Sequence, residues 1–385
     1  QVIRGVALSL ILFFGAPLVS KFFGEPNAIP LTRALALSEL ITGLTHIGVV
    51  YFQKQMEFQK QFAYQVSGTM ADLLVSIPAA LILRNPWALV YGRIAGNFVR
   101  LVFSFIVSSR SLSLVINKKY SRHLYDFGKY VFLQSILLFL LTQGDDVFVG
   151  RYLGTAALGI YQLGYRIANL TATEFTHVIS SITFPAYASI QNDQRKLKKA
   201  LLKTLNLTSF LTFPVAGLIF SLAPEFVEVT LGSSWLDVIP IIQILALEGL
   251  LRSLAATFGP VYKAKAQVRI PLKINIIQLI ILVTTLIPLS YKWGVNGTAF
   301  SVTIMLAVGF FLTSKKISEL LKISIYQINQ QLLPYLRSTV TMIVFIFLIK
   351  NYFLIYTNVL SLIFLIMLGM LSYILIYLTD SLFLN

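Results

Sequence analysis

Long apolar runs alternate with short charged clusters along the whole chain. Each run extends over about 20 residues, the length that a helix needs to cross a hydrocarbon layer of about 30 Å. The runs are continuously apolar, whereas the strands of a membrane barrel alternate apolar and polar residues. This pattern predicts an all-α, polytopic membrane protein with about twelve spans. The predicted spans are 3–22, 34–53, 63–83, 87–108, 130–149, 155–178, 204–223, 238–259, 270–290, 294–314, 335–350 and 356–379.

Composition agrees with a membrane protein. Hydrophobic residues make up 57% of the chain and charged residues 12%, which is more apolar surface than a water-soluble core of this size would hide. The connections between spans are short, so no loop is expected to fold as a soluble domain and any function lies within the helix bundle. The net charge of +16 lies mainly in these loops, which argues against a nucleic-acid partner.

The basic residues divide unevenly between alternate loops. One set of loops holds Lys54, Lys60, Arg110, Lys118, Lys119, Arg122, Lys129, Arg195, Lys196, Lys198, Lys199, Lys203, Lys263, Lys265, Arg269, Lys273, Lys315, Lys316 and Lys322. Because cytoplasmic loops are enriched in lysine and arginine, this set is predicted to be cytoplasmic. Both ends of the chain then face the cytoplasm.

An internal repeat predicts how the spans are grouped. Ala16-Pro17 is echoed by Ala223-Pro224, and Ile29-Pro30 by Ile239-Pro240. An even number of spans separates the copies, so they share one orientation, as in transporters built from parallel repeats. The second copy begins near Asp126, and two helices before Gln1 would complete the first. The expected whole has fourteen spans: two pseudo-symmetric six-helix lobes and two further helices.

This grouping predicts three regions in the chain. Residues 1–125 form a truncated N-terminal lobe, corresponding to helices 3–6 of the fourteen. Residues 126–333 form a C-terminal lobe of helices 7–12, and residues 334–385 two appended transmembrane helices. Lysines alternate with apolar residues over 314–331, which predicts an amphipathic helix on the cytoplasmic surface.

Several segments carry a resemblance to a known family. They are Phe22-Phe23-Gly24-Glu25-Pro26, Asp145-Asp146-Val147 with Gly150-Arg151-Tyr152-Leu153-Gly154, and Phe184-Pro185-Ala186-Tyr187. The chain resembles oligosaccharide-lipid flippases of the polysaccharide transporter family, within the multidrug, oligosaccharidyl-lipid and polysaccharide exporter superfamily. The resemblance implies translocation of a polyprenyl-pyrophosphate oligosaccharide across a bacterial inner membrane by alternating access. It also implies membrane lipids and other polysaccharide-assembly proteins as partners.

Charged side chains within spans are the candidate functional residues, because an ionised group inside the bilayer is costly. Arg166 lies near the middle of its span, with Asn169 three residues later on the same predicted helix face. A guanidinium presents donors that suit phosphate oxygens, so Arg166 is a candidate for the pyrophosphate; the alternative is a packing pair with Asp145 or Asp146. The other cavity candidates are Arg93, Asn97, Arg100 and Arg252.

Two of these arginines have structural alternatives. Arg100 lies near the cytoplasmic end of its span and could extend to the headgroups. Arg252 could instead be neutralised by Glu248, four residues earlier on the same helix. The candidates for coupling to Na+ or H+ are Asp72, Glu174, Asp145 and Asp146. A carboxylate of this kind could equally serve to neutralise a buried arginine.

No catalytic residue, metal site or cofactor is predicted. The chain has no cysteine, its three histidines lack ligand spacing, and no nucleophile triad is visible. A membrane enzyme would need larger outer loops than these. A cation-coupled exporter of small molecules from the same superfamily is the alternative function, although intramembrane arginines argue against a cation-binding cavity.

Overall fold

The chain is described by a computed structural model that covers residues 1–54, 57–107, 118–267, 269–352 and 358–383. Every regular element in these ranges is a helix. This is the result expected in lipid, where backbone N–H and C=O groups must be satisfied within the segment itself. The chain forms two compact units, Gln1–Tyr125 and Asp126–Asn385.

The first unit contains five helices and the start of a sixth. They are α1 (Val2–Phe23), α2 (Ala28–Leu44), α3 (Val49–Lys54), α4 (Phe58–Leu83), α5 (Trp87–Val107) and the beginning of α6 (Lys118–Phe148). Gly24, with φ of 71°, ends α1 in the left-handed conformation that glycine favours. The predicted span 34–53 is broken between α2 and α3, where His46 Nδ1 accepts a hydrogen bond from the Gly48 N–H at 3.0 Å.

Helices α4 and α5 pack closely along small residues. A Cβ atom on Gly92 would lie 2.3 Å from Oδ1 of Asp72, and one on Gly96 would lie 2.7 Å from the carbonyl oxygen of Gly68. The Gly92-x-x-x-Gly96 spacing therefore places backbone against backbone, as small residues commonly do between membrane helices.

The second unit contains the remaining helices. After α6 and a π-helical turn (Val149–Leu153) come α7 (Thr155–Ala168), α8 (Leu170–Ser189), α9 (Gln194–Thr230), a 3-10 turn (Ser233–Val238), α10 (Ile239–Ala256), α11 (Gly259–Ala264), α12 (Arg269–Leu321), α13 (Ile325–Tyr352) and α14 (Val359–Phe383).

Helix α12 is interrupted in its middle. Trp293 and Gly294 leave helical geometry, and Gly294 has φ of 56°. The two halves approach each other, since the hydroxyl oxygens of Ser290 and Thr298 are 2.8 Å apart and Thr298 is buried. The break separates the predicted spans 270–290 and 294–314.

Helix α9 is longer than its predicted span. Asp193 caps it by accepting a hydrogen bond from the Lys196 backbone N–H at 3.0 Å, and this bond holds the pKa of Asp193 below its usual range. Leu197, Leu201 and Leu205 follow at four-residue spacing and are all buried. The lysine-rich start of α9 is therefore an amphipathic continuation of the span.

Helices α13 and α14 are anchored to α9 by polar contacts as well as apolar ones. Tyr335 donates a hydrogen bond to Asn206, and its ring stacks on that of Tyr377 with centroids 5.2 Å apart. Near the opposite end of α13, Lys350 Nζ lies 2.6 Å from Glu225 Oε1. These helices belong to the core of the second unit.

Within the described residues, eight helices are long and apolar enough to cross a membrane. The predicted amphipathic helix over 314–331 is wrong as a single element, because α12 ends at Leu321 and α13 begins at Ile325. Lys322, with φ of 51°, turns the chain between them. Ile317, Ile323 and Ile328 from both sides of the turn are buried in the core.

Candidate functional site

The end of α6 and helix α7 place two consecutive acidic residues opposite two polar partners. The Tyr161 hydroxyl donates a hydrogen bond of 2.5 Å to Asp145 Oδ2, and Gln162 Nε2 donates one of 3.2 Å to Asp146 Oδ2. Gly154, with φ of 96°, ends the π-helical turn and begins α7, so the chain can turn back on itself here. Asp145 is 3% exposed and is therefore held inside the unit.

Helix α10 contributes an ion pair to the same region. Arg252 Nε donates to Glu248 Oε1 at 2.9 Å, and Glu248 has no exposed surface. The Arg252 guanidinium also lies 5.6 Å from the centre of the Tyr165 ring, a cation–π arrangement that ties α10 to α7. The structure therefore contains the Glu248–Arg252 pair that the four-residue spacing allows.

These side chains form one electrostatic group, which we call the charged cluster: Asp145, Tyr161, Tyr165, Glu248 and Arg252. Arg252 interacts electrostatically with both carboxyl groups, and Tyr161 with both as well. Asp145 Oδ1 and Glu248 Oε2 are buried and have no hydrogen-bond partner among the described residues. Two carboxyl groups facing one guanidinium leave an excess negative charge when both are ionised, which favours uptake of a proton or a cation.

Arg166 and Asn169 lie in different environments. Arg166 is exposed on α7, where it attracts Asp146 electrostatically. Asn169 is buried at the junction of α7 and α8, close to Gly249 of α10. The sequence predicted that they share one helix face, but α7 ends at Ala168 and α8 begins at Leu170, so Asn169 lies at the junction of the two helices. The side chain of Glu174 lies outside the described residues.

In the first unit, two predicted cavity residues make contacts within the helix bundle. Asn97 Nδ2 donates to Ser38 Oγ at 2.7 Å, which joins α5 to α2. Arg100 donates to Asn97 Oδ1 at 3.1 Å and to Thr69 Oγ1 at 3.2 Å. We call Ser38, Thr69, Asn97 and Arg100 the polar network. The absence of a side chain on Gly68 leaves room for the Arg100 side chain.

The other two candidates in this unit lie in different surroundings. Arg93 is exposed on α5, whereas Asn97, four residues later, is buried. The predicted arginine face of α5 is therefore divided into an exposed and a packed part. Asp72 is half-buried against Gly92, at the contact of α4 and α5.

The sequence analysis did not include Tyr161, Tyr165 or Glu248 among the site residues. The tyrosines lie four residues apart on α7, a spacing that could have indicated a shared face. Glu248 was considered only as the partner of Arg252. Its relation to Asp145 depends on the packing of α10 against α7. Among the described residues, no group of three His, Asp or Glu side chains could hold a metal ion.

Sequence comparison identifies known proteins that this chain is similar to. A family model described as "Polysaccharide biosynthesis protein" matches residues 1–240. The chain is 25% identical to the lipopolysaccharide biosynthesis protein WzxC of Escherichia coli over 74% of this chain and 58% of that protein. It is 22% identical to the teichuronic acid biosynthesis protein TuaB of Bacillus subtilis over 69% and 56%. The probable low-salt glycan biosynthesis flippase Agl15 of Haloferax volcanii is 24% identical over 63% and 51%. The chain thus spans less than two thirds of these relatives.

Solved structures show the same fold. The lipid II flippase MurJ in an inward closed conformation matches with a TM-score of 0.75 and 16% identity, over 99% of this chain and 81% of that one. An inward-facing multidrug resistance transporter of the MATE family matches with a TM-score of 0.66 and 16% identity, over 84% and 80%. The predicted all-helical membrane transporter fold is confirmed, without fixing the number of spans.

Proposed function

The chain belongs to the polysaccharide biosynthesis protein family, and from this premise we propose that it acts in a flippase for a lipid-linked oligosaccharide. The substrate would be a polyprenyl-pyrophosphate oligosaccharide used for surface polysaccharide synthesis. Alternating access would move the headgroup while the hydrocarbon tail stays in the bilayer. No covalent bond is made or broken, so the proposal involves no enzymatic step.

Family membership is the observation that carries this proposal. The printed names of relatives support it, since they include a flippase and biosynthesis proteins for lipopolysaccharide and teichuronic acid. All of these polymers are made from sugar units. A bundle of apolar helices is also the setting in which a lipid-linked headgroup has to be moved.

Arg166 is the residue we propose for binding the pyrophosphate in this unit. It is exposed on α7, beside the charged cluster, and its planar guanidinium can donate two parallel hydrogen bonds to phosphate oxygens. Arg93, exposed on α5, is the corresponding proposal for the first unit. Arg252 is less suited to contact substrate, because Glu248 already neutralises it.

The charged cluster supports coupling of transport to H+ or Na+. Asp145 and Glu248 each have a buried oxygen without a hydrogen-bond partner in the described part of the chain. Binding of one proton or cation would balance the excess charge, and its release would favour a different packing of α6, α7 and α10. Asp146 and Asp72 are less suited to this role because both are only half-buried.

We further propose a multi-pass position in a bacterial inner membrane, with both ends of the chain cytoplasmic and other polysaccharide-assembly proteins as partners. The distribution of lysine and arginine supports this orientation. Because the chain has no cysteine, single cysteines at Lys198 and Lys292 would report it directly. We expect a membrane-impermeant maleimide added outside to label only the cysteine at 292.

Translocation in proteoliposomes tests the function. Wild type should move a fluorescent undecaprenyl-pyrophosphate oligosaccharide, and Arg166→Ala should reduce its rate about tenfold or more, since a charge-assisted phosphate contact is worth roughly 1.5–3 kcal/mol. Arg337→Ala, which removes an exposed arginine of α13, is the matched control. Transport of organic cations without movement of the lipid would instead favour the exporter.

Ion coupling has its own test. Glu248→Gln and Asp145→Asn should make the transport rate insensitive to imposed H+ and Na+ gradients. Glu319→Gln, which changes an exposed carboxylate paired with Lys316, should leave the dependence unchanged. Unaltered gradient dependence in both cluster variants would exclude these residues as the coupling site.

A further inference from the structure

The second unit contains a large cavity that is lined mainly by apolar side chains. It has a volume of about 840 Å³ and is bounded by α9, α10, the second half of α12, and α13. Phe213, Phe220, Leu247, Phe300 and Val340 are among the side chains that line it. This volume falls within the range of about 300–1,000 Å³ that is typical of ligand pockets.

The lining offers little to a sugar. Its polar side chains besides Trp293 are Gln243, Asn296, Thr303 and Thr339. Gln243 donates from Nε2 to the carbonyl oxygen of Phe220 at 3.1 Å, and Thr303 donates to the carbonyl oxygen of Ala299 at 2.9 Å, whereas Thr339 Oγ1 is buried without a hydrogen-bond partner among the described residues. Water or a carbohydrate would find few free partners here, whereas a hydrocarbon chain needs none.

The cavity is separated from the charged cluster by helix α10 itself. Gln243, Leu247 and Leu250 line the cavity, whereas Glu248 and Arg252 belong to the cluster. At 100° per residue, Gln243, Leu247 and Leu250 lie on the face opposite Glu248 and Arg252, whereas Ile244, which also lines the cavity, lies next to Glu248. The cavity is therefore distinct from the charged cluster proposed for ion coupling, and its lining includes neither Arg166 nor Arg93, the arginines proposed for the pyrophosphate.

The lysine side chain of Lys292 lies at the rim of the cavity, beside the break in α12. Trp293 lines the cavity, and Lys292 Nζ lies 5.0 Å from the centre of the Trp293 ring. Lys292 is exposed. Tryptophan and lysine at the end of a span are typical of the headgroup level of a membrane, where the lysine can meet a lipid phosphate.

We propose that this cavity binds one hydrocarbon chain of an anionic phospholipid whose phosphate is held by Lys292. The lipid is a resident component of the second unit, distinct from the transported substrate. Apolar lining selects the chain, and Lys292 at the rim selects the anionic headgroup. This site goes beyond the proposed function and does not rest on it, because binding is measured without transport.

Fluorescence of Trp293 provides the test. The chain has three tryptophans, so Trp87→Phe/Trp235→Phe leaves Trp293 as the reporter inside the cavity. The purified chain in detergent would be titrated with phosphatidylglycerol or phosphatidylcholine brominated on their acyl chains, which quench tryptophan on contact. Half-maximal quenching should need about fivefold less of the anionic lipid, the preference that one lysine near a headgroup supplies.

Two sets of variants test the headgroup contact and the hydrocarbon-chain contact separately. Lys292→Gln should abolish the preference and Lys292→Arg should retain it. Val340→Phe fills the cavity and should weaken quenching by both lipids. Val344→Phe is the control, since Val340 and Val344 are both 51% exposed on α13 but only Val340 lines the cavity. Lys292→Gln changes only an exposed side chain, so the headgroup comparison stays available if Val340→Phe does not fold.

Two results would overturn the proposal. Equal quenching by the two lipids, or equal effects of the two valine variants, would mean that Trp293 only senses surrounding lipid or detergent. Displacement of brominated phosphatidylglycerol by undecaprenyl phosphate at lower concentration than by unlabelled phosphatidylglycerol would assign the cavity to the substrate lipid instead.

Discussion

The two units each hold an arginine inside a helix bundle, but the polar partners of this arginine differ between the units. In the first unit, Arg100 donates to the neutral oxygens of Asn97 and Thr69. In the second, Arg252 faces the carboxylate of Glu248, with Asp145 also within electrostatic range. One group donates to amide and hydroxyl oxygens and has the Tyr64 phenol as a further neighbour, whereas the other contains two carboxyl groups.

This difference separates a structural role from a functional one. A network of amide and hydroxyl partners keeps the same charge at any pH, so it can fix the packing of α2, α4 and α5 but cannot respond to an ion gradient. In the ion coupling that we propose, the charged cluster would respond, because binding of a proton or cation beside Arg252 would change the electrostatic balance around its guanidinium. We expect substitutions in the charged cluster to lower the free energy of unfolding more than substitutions in the polar network.

The largest effect is expected for Glu248→Ala. It leaves the guanidinium of Arg252 half-buried and unpaired, and removing one partner of a buried ion pair typically costs about 3–5 kcal/mol. The free energy of unfolding, measured by denaturant titration in detergent micelles, should fall by about 3 kcal/mol. The double variant Glu248→Leu/Arg252→Met should recover most of this loss, since it removes both charges. If the double variant is as unstable as the single one, the loss comes from packing rather than from charge.

A smaller loss is expected for Gly92→Leu in the first unit. Its Cβ would lie 2.3 Å from Asp72 Oδ1, so α4 and α5 have to move apart. Overpacking of this kind costs about 1–3 kcal/mol, measured by the same titration. Gly15→Leu on α1 is the matched control, because no atom lies within 4 Å of its added Cβ. Equal losses in both variants would show that the close contact of α4 and α5 does not set the effect, since the change in helix propensity from glycine to leucine is the same at both positions.

The sequence predicted the positions of helices well where hydrophobicity alone determines them. Continuous apolar runs located α1, α4, α5 and α14, and the break in α12 coincides with the gap between two predicted spans. The ends of the helices were predicted less accurately. Helix α9 begins at Gln194, well before the span predicted from 204, because its first turns bury leucines on one face and leave lysines exposed on the other.

Site residues were predicted less completely, for a physical reason. Charge within a span identified Asp145, Arg166 and Arg252, yet charge alone does not tell a packed side chain from an accessible one. Asn169 is buried and Arg166 is exposed although they are three residues apart, because the helix bends between them. Tyr161 belongs to the charged cluster because it contacts α6. No local sequence pattern specifies this contact.

The smallest effect is expected within the polar network, where Asn97 Nδ2 donates to Ser38 Oγ between α5 and α2. A double-mutant cycle of Asn97→Ala and Ser38→Ala should give a coupling free energy of about 0.6 kcal/mol, the average for hydrogen bonds between membrane helices. Both residues are buried, but the unfolded chain in a micelle also finds partners for these groups, which keeps the difference small. Their coupling should also be independent of pH, because neither side chain titrates. A coupling above about 2 kcal/mol, or one that changes between pH 5 and 8, would remove the distinction drawn between the two units, since the neutral network would then be as responsive as the charged cluster.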